Sequence, residues 1–198
     1  MLRRAGGYFE VVSNGVFLMD TRDGRSERLL VRAALEAVPA ARSLLIGGLG
    51  VGFSLREAVI DPDLERIDVV EIEDTVVGWH RTHLRHLTGD ALDDPRVHVV
   101  IEDLARHVAD AGTAYDVVCI DVDNGPTWTV TPANDALYGE DGTHRLLAAV
   151  RPGGALAVWS AMPVPAYEEQ LRGLATSVEV HTVEVARGEP DVVYVAMR

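Results

Sequence analysis

The sequence predicts an α/β fold: a Rossmann-like sandwich with a mostly parallel sheet, an antiparallel C-terminal edge strand and a short N-terminal β-hairpin in front. Three observations carry this. From Ser43 onward, apolar runs of strand length alternate with stretches of helical periodicity, which demands crossover connections and therefore parallel pairing. The first of those strands, Ser43-Leu44-Leu45-Ile46, runs straight into Gly47-Gly48-Leu49-Gly50-Val51-Gly52, a glycine-rich turn that opens a helix. The last two apolar runs are joined by Arg187-Gly188-Glu189-Pro190 with no helix between them, so they pair antiparallel.

Taken in order, Tyr8 to Val12 and Val16 to Met19 flank Asn14-Gly15, a dipeptide whose left-handed preference suits a tight hairpin. Arg22-Asp23-Gly24 then turns the chain into a helix with Ser26 as its expected N-cap and Pro39 as its stop. Further helices are expected over Phe53 to Ile60, Asp74 to Leu87, Leu104 to Ala109, Thr143 to Val150 and Ala166 to Ala175. Strands are expected over Ser43 to Ile46, Ile67 to Glu71, Val97 to Ile101, Tyr115 to Asp121, Ala155 to Ser160, Val178 to Val183 and Val192 to Met197. Residues 1–40 read as a hairpin and helix packed on a main unit, residues 41–198, the whole forming one structural unit.

Composition narrows the function classes. The chain has 198 residues, 47% of them hydrophobic, enough for one substantial core and too few for two ordinary domains. A net charge of −13 repels phosphate backbones and anionic membrane surfaces, so neither nucleic acid nor membrane is an expected partner. Cys119 is the only cysteine; inside an apolar run, it reads as an inert core residue. No apolar core region follows Arg3 and Arg4 and no segment reaches membrane-spanning length, so a cytoplasmic protein is expected. His80, His83 and His86 drift around a helix surface without nearby acids and read as a solvated face; no metal is expected. Trp79 and Trp159 read as packing residues.

In an open parallel sheet, ligands sit outside the carboxyl ends of the strands. Here those ends are polar: the glycine loop, Glu71, Glu102-Asp103, Asp121-Val122-Asp123-Asn124-Gly125-Pro126 and Ser160. Glu71 stands where such folds place the carboxylate that accepts both ribose hydroxyls, so the expected ligand is a nucleoside. As a rim carboxylate that packs no core, it is expected to be removable without harm to the fold. Asp103 opens a helix and either caps it or accepts from an adenine amino group. Trp128 and Tyr138 flank a segment rich in threonine, proline and asparagine, which is either a loop that closes over ligand or an ordered surface loop.

These motifs together resemble the spermidine synthase-like branch of the adenosylmethionine-type methyltransferase fold, from Tyr8 onward. Its members carry a hairpin before the sheet, an Ile-Gly-Gly-Gly-Asp-Gly loop, a Val-Glu-Ile-Asp strand end, an adenine-side aspartate, and an Asp-Ser-x-Asp-Pro-x-Gly-Pro loop before a Leu-Tyr or Leu-Phe pair. The matching stretches are Ile46 to Gly52, Val70-Glu71-Ile72-Glu73, Asp103, Asp121 to Pro126 and Leu137-Tyr138. The resemblance implies that Gly47, Gly48, Gly50, Gly52, Glu71 and Asp103 bind the donor, with Glu71 on the ribose and Asp103 on the adenine. It puts Asp121 beside the amine being alkylated, with Asp123, Asn124, Trp128 and Tyr138 as substrate-loop candidates. It also implies a homodimer, as does a hairpin apolar on both faces.

The departures bear on the reaction. Gly50 stands where the aminopropyltransferases carry the aspartate that binds the amine of decarboxylated S-adenosylmethionine, and Asn124 replaces the second aspartate of the fourth-strand loop. Loop N–H groups and a helix dipole without that acid suit the carboxylate of intact S-adenosylmethionine. The leading expectation is therefore methyl transfer to a small nucleophile, an amine favoured, with Asp121 orienting or deprotonating it. Aminopropyl transfer to a polyamine and a non-catalytic nucleoside-binding role are the alternatives.

Overall fold

Strands β1 (Leu2–Ala5), β2 (Tyr8–Ser13) and β3 (Val16–Asp20) form a three-stranded antiparallel sheet, so the expected hairpin gains a strand on its outer edge. The computed structural model describes residues 1–13, 15–112, 114–130 and 134–198. Asn14 of the hairpin turn and residues 131–133 of the loop after Asp121 lie outside them. Leu2, Phe9, Leu18 and Met19 from this sheet pack with Val51, Phe53, Trp79 and Leu84, which seats the sheet against the glycine loop.

Helix α1 (Arg25–Ala37) follows, and its start corrects the sequence reading. Gly24, not Ser26, is the N-cap, and a Cβ on Gly24 would lie 2.3 Å from the Phe53 ring. That close approach presses the first turn of α1 inward, so Ser26 and Glu27 are buried instead of capping into solvent.

The main sheet is built from β4 (Ser43–Gly47), β5 (Arg66–Glu71), β6 (Val97–Ile101), β7 (Tyr115–Ile120), β8 (Val150–Ser160), β9 (Ser177–Val183) and β10 (Asp191–Met197), in the order β6-β5-β4-β7-β8-β10-β9. Helices α2 (Phe53–Ile60), α3 (Asp74–Arg81), α4 (Arg85–Thr88), α5 (Leu104–Ala111), α6 (Asp135–Tyr138), α7 (Glu140–Ala149) and α8 (Pro165–Leu174) connect the strands, with a 3-10 turn at Ala91–Asp93. Pairing is parallel from β6 through to β8. The final strand is antiparallel, as its helix-free connection requires, and it inserts between β8 and β9; the outermost position on that side belongs to β9.

Period-two alternation divides the core. Leu45, Val118 and Leu156 face one side with Leu104, Leu146 and Leu171, while Leu44, Ile46, Val117 and Ala157 face the other with Leu30, Ala34 and Leu55. Each fully buried leucine or valine contributes roughly 1.5–3 kcal/mol. Cys119 belongs to the second set, with its thiol pushed up by burial.

The helix expected over Asp74 to Leu87 is broken at Thr82. The Thr82 hydroxyl donates back to the Gly78 carbonyl at 2.9 Å, and Leu84 N–H returns to Trp79 O, so the chain turns and Leu84 reaches the third cluster. Of the expected histidine face, His83 and His86 are exposed and only His80 departs from it. His80 is buried, and its Nε2 lies 2.9 Å from Gly50 O beneath the glycine loop. Burial lowers its pKa, so the imidazole that supports the loop is kept neutral.

Candidate active site

The chain leaves β4 toward β5 and β6, then crosses back to β7 on the other side of β4. Such a reversal opens a crevice outside the strand ends. Two hydrogen bonds fasten the adjoining ends: Asp121 N–H donates to Gly47 O at 2.8 Å and Gly48 N–H to Val70 O at 2.9 Å. Above them lies an open cavity of about 1470 Å³, reaching from Glu71 and Asp103 past Gly48 and Gly50 to Asp121 and on to Asp191. This exceeds the several hundred Å³ that one drug-sized ligand fills, so it has room for a donor and an acceptor together.

The glycines divide by task. Gly48 and Gly50 line the cavity. Gly48 has φ +91° and a Cβ there would meet Asp121 O at 2.3 Å, so only glycine allows the loop to pass this close to β7. Gly47 and Gly52 do not line the cavity and serve packing: a Cβ would strike Leu104 in the first case, Thr88 and His80 in the second. A Cβ on Gly50 would lie 2.8 Å from the Met19 sulfur, so strand β3 fills the direction in which a side chain at position 50 would grow.

Glu71 is buried at the cavity wall, and both of its oxygens are engaged. Oε2 accepts from Leu49 N–H at 3.0 Å and Oε1 from Glu73 N–H at 2.9 Å. Burial raises its pKa, and these backbone donors oppose the rise. Gly50 N–H adds to these donors, and of the carboxylate's about four acceptor positions the part left open can take a ribose hydroxyl. The expectation that Glu71 is dispensable to the fold is corrected, since it also ties the glycine loop to β5. Asp103 caps α5, its Oδ1 accepting from Arg106 N–H at 2.9 Å, and it lines the cavity as well; the two expected roles are compatible.

Asp121 stands at the end of β7, where its Oδ2 accepts from the Ser54 hydroxyl at 3.1 Å. Burial raises its pKa, with a contribution from Asp191 nearby. A carboxylate so placed can take a proton from an ammonium group that reaches it. Asp123 has φ +55° and accepts from the Asn134 carboxamide at 2.8 Å, which shapes the loop. Asn124 is 5% exposed, with a carboxamide nitrogen that has no hydrogen-bond partner. Asp123, Asn124 and Trp128 all line the cavity, and Trp128 is 48% exposed at its edge. Tyr138 does not line it. Buried against Tyr167, it donates its hydroxyl to Val122 O at 2.6 Å and supports the loop from beneath.

Sequence reading missed Glu27, Asp191 and Trp159, which line the same cavity near Asp121. Glu27 is a first-turn acid of α1 and Asp191 opens β10, positions that mark neither as a site residue. The available signal for Glu27 was its place beside the apolar stripe of Leu30, Val31 and Ala34, where a solvated glutamate does not belong. Among the described residues, no group of three His, Cys, Asp or Glu side chains could hold a metal ion.

Comparison with known proteins agrees with this architecture. The polyamine aminopropyltransferase of Mycobacterium tuberculosis (strain ATCC 25618 / H37Rv) is 32% identical over 167 residues, covering 82% of this chain and 31% of that protein. Putrescine N-methyltransferase 1 of Nicotiana tabacum is 30% identical over 172 residues, covering 83% and 44%. The chain spans less than half the length of these curated relatives. The crystal structure of spermidine synthase from Thermotoga maritima superposes with a TM-score of 0.78 at 17% identity, covering 99% of this chain and 71% of that one. Human methyltransferase-like protein 13 in complex with SAH gives 0.59 at 20% identity, covering 87% and 78%; at such identities the likeness is one of fold. Residues 25–185, which hold the glycine loop, Glu71, Asp103 and Asp121, match the spermine/spermidine synthase domain, and the chain belongs to that family.

Proposed function

We propose that this chain is an S-adenosylmethionine-dependent transferase that methylates a small nucleophile, an amine favoured. The observation that carries the choice of donor is the surroundings of Gly50. No acid is present there, and Met19 fills the space a side chain would need, so the glycine loop offers an ammonium group no carboxylate at that point. The positive end of the α2 dipole, just beyond the loop, favours an amino-acid carboxylate instead.

In this reading Glu71 holds the ribose hydroxyls, Asp103 accepts from the adenine amino group, and Gly48 and Gly50 let the backbone approach. When bound, the donor supplies a methyl group already activated by its sulfonium. What the protein must add is alignment of the nucleophile and removal of its proton, and Asp121 is assigned both tasks. Asp123, Asn124 and Trp128 border the acceptor side. Aminopropyl transfer from decarboxylated S-adenosylmethionine is the second reading, supported by the presence of both Asp121 and Asp123 at the cavity and by the Mycobacterium relative.

Calorimetry with the two donors, followed by product analysis over a panel of amines, tests the proposal. S-adenosylmethionine is expected to bind and to yield a methylated amine; tight binding of the decarboxylated form alone overturns the reading, and binding without product on any acceptor makes the chain a nucleoside-binding homologue. We further propose a homodimer formed through the N-terminal sheet, where Phe17 is 48% exposed. Light scattering that gives only monomer at micromolar concentration defeats it.

A further inference from the structure

Of the three histidines between Asp74 and Thr88, only His80 is turned inward, 2% exposed beneath the glycine loop. Its ring occupies a space that exists because Gly52 has no side chain. A Cβ on Gly52 would lie 2.8 Å from His80 Cε1 and 3.4 Å from Nδ1, with the Thr88 methyl closer still at 2.3 Å. Nε2 lies 2.9 Å from Gly50 O. A carbonyl oxygen only accepts, so in the neutral ring Nε2 carries the proton and Nδ1 is the bare nitrogen, buried with no hydrogen-bond partner.

Gly50 is thereby held from two elements at once. Its N–H donates to the Glu71 carboxylate on β5, and its carbonyl accepts from His80 on α3. At φ +50° and without a side chain, a glycine has little of its own to keep one conformation, so these two side chains set it. Gly50 lines the cavity beside Glu71, whereas His80 does not line it. A second proton on the ring would put an N–H and a positive charge at Nδ1, where no acceptor stands, and a buried charge of that kind is relieved when the ring leaves its seat. Burial lowers the His80 pKa in keeping with this, and the Gly50 carbonyl opposes the fall. Charged groups on the elements around the ring are engaged or turned outward. Arg56 of α2 donates to Leu87 O, and Glu57 lies one turn from Phe53, on the side that meets Arg28 of α1. Arg85 of α4 pairs with Asp90 and Asp93, while Arg81, His83 and His86 are exposed.

We propose that His80 is a positioning residue for the donor: its Nε2–H latches the Gly50 carbonyl, holding the glycine loop and Glu71 in their donor-binding shape, and a proton on Nδ1 opens the latch. Donor binding and protonation of this imidazole then oppose each other, and each weakens the other by the same factor. The inference rests on the proposed donor site, and its test includes a readout that needs no donor.

The experiment is calorimetric titration of the full chain with S-adenosylhomocysteine from pH 5 to 8, on the wild type, H80L and H80Q, together with amide hydrogen exchange at Leu49 and Gly50. Leucine fills the space without a donor, whereas the glutamine carboxamide donates and does not ionise. At pH 8, H80L is expected to bind about tenfold more weakly, the scale of one lost buried hydrogen bond, and H80Q to recover most of that loss. From pH 8 to pH 5 the wild type is expected to lose at least threefold more affinity than H80Q, a comparison that cancels the titration of Glu71 and the other cavity acids. In the free protein at pH 7, the Leu49 and Gly50 amides of H80L are expected to exchange at least tenfold faster than those of the wild type. Equal affinity in H80L and the wild type overturns the proposal, as does an identical pH dependence in H80Q and the wild type. A wild-type His80 ring that carries its proton on Nδ1, read from its nitrogen resonances, overturns it with no variant at all. If S-adenosylhomocysteine binds every form alike, the latch is refuted while the donor reading stands. If it binds none and loop exchange still rises in H80L, the donor reading is refuted while the hold on the loop stands.

Discussion

The two ends of the cavity treat their carboxylates in opposite ways. At the donor end, Glu71 has each oxygen on a backbone N–H and Asp103 caps a helix, so these acids are fixed before any ligand arrives. At the acceptor end, Glu27 is buried and Asp121 and Asp191 are half-buried, with the Ser26 hydroxyl between Glu27 and Asp191 and the Ser54 hydroxyl on Asp121. The first arrangement suits a ligand recognised by hydroxyls and an amino group, where position matters most. The second carries unpaired charge or a stored proton, and it becomes favourable when a cation enters. Substitutions at the two ends should therefore separate donor binding from everything that follows it.

The sharpest separation is expected at Asp121. With donor contacts assigned to Glu71 and Asp103, Asp121→Asn should keep donor affinity and lose about 100-fold or more in single-turnover rate, the scale of a general base. If Asp121 only receives the Ser54 hydroxyl to hold the loop, the variant will melt lower and turn over normally per folded molecule. Donor affinity, melting temperature and rate on one preparation distinguish these outcomes.

At the donor end, Glu71→Ala should weaken donor binding by roughly 1.5–3 kcal/mol, on the order of 10- to 100-fold. It should also lower the melting temperature, because Leu49 and Glu73 lose their acceptor. Glu71→Gln, which keeps one acceptor, should recover part of the stability and less of the affinity. Unchanged donor affinity in both variants would remove Glu71 from the site.

A smaller effect is expected when the missing acid is restored. Gly50→Asp alone meets the Met19 sulfur, so the useful variant is Gly50→Asp with Met19→Ala. At φ +50° an aspartate is tolerated better than most residues. The pair should shift relative affinity toward decarboxylated S-adenosylmethionine by about tenfold, the scale of one charge-assisted hydrogen bond. No shift, in a variant that still binds S-adenosylhomocysteine, would show that position 50 does not select the donor.

The donor end was far more legible in the sequence than the acceptor end, for a physical reason. A glycine loop after an apolar strand and a carboxylate at the next strand end are local patterns, and parallel-sheet topology places them together without further information. Helix α2 and strand β6 accordingly have the bounds that periodicity assigns. The acceptor end is assembled from residues far apart in sequence, Glu27, Asp121 and Asp191, brought together by the contact of Gly24 with Phe53 and by the insertion of β10 beside β8. Nothing local marks Glu27 as buried except its neighbours in the helix. His80 and Tyr138 teach the same lesson in reverse, since one histidine of an otherwise exposed face and an aromatic near a loop point inward, onto the Gly50 and Val122 carbonyls.

The smallest expected effect concerns stability, and it tests the acceptor end without any ligand. Glu27 has a folded-state pKa raised above its ordinary value of 4.5, so between that value and the raised one the folded chain binds more protons than the unfolded chain. Stability is then highest at low pH and falls as pH rises through this interval, the opposite of a salt-bridged carboxylate. Asp121 and Asp191 are raised too and impose their own slope, so the informative quantity is the difference between the wild type and E27Q. Glutamine cannot ionise and keeps a polar group beside Ser26. The two proteins should melt nearly together at pH 4.5, and E27Q should melt progressively higher as pH approaches 8. Each pKa unit of displacement is worth about 1.4 kcal/mol, or roughly 3–6 °C for a chain of this size. A glutamate held only as a hydrogen-bonding partner of Ser26 would give a constant offset, with E27Q the less stable at every pH. Melting curves across that range decide whether the acceptor end carries the electrostatic strain that its unpaired acids imply.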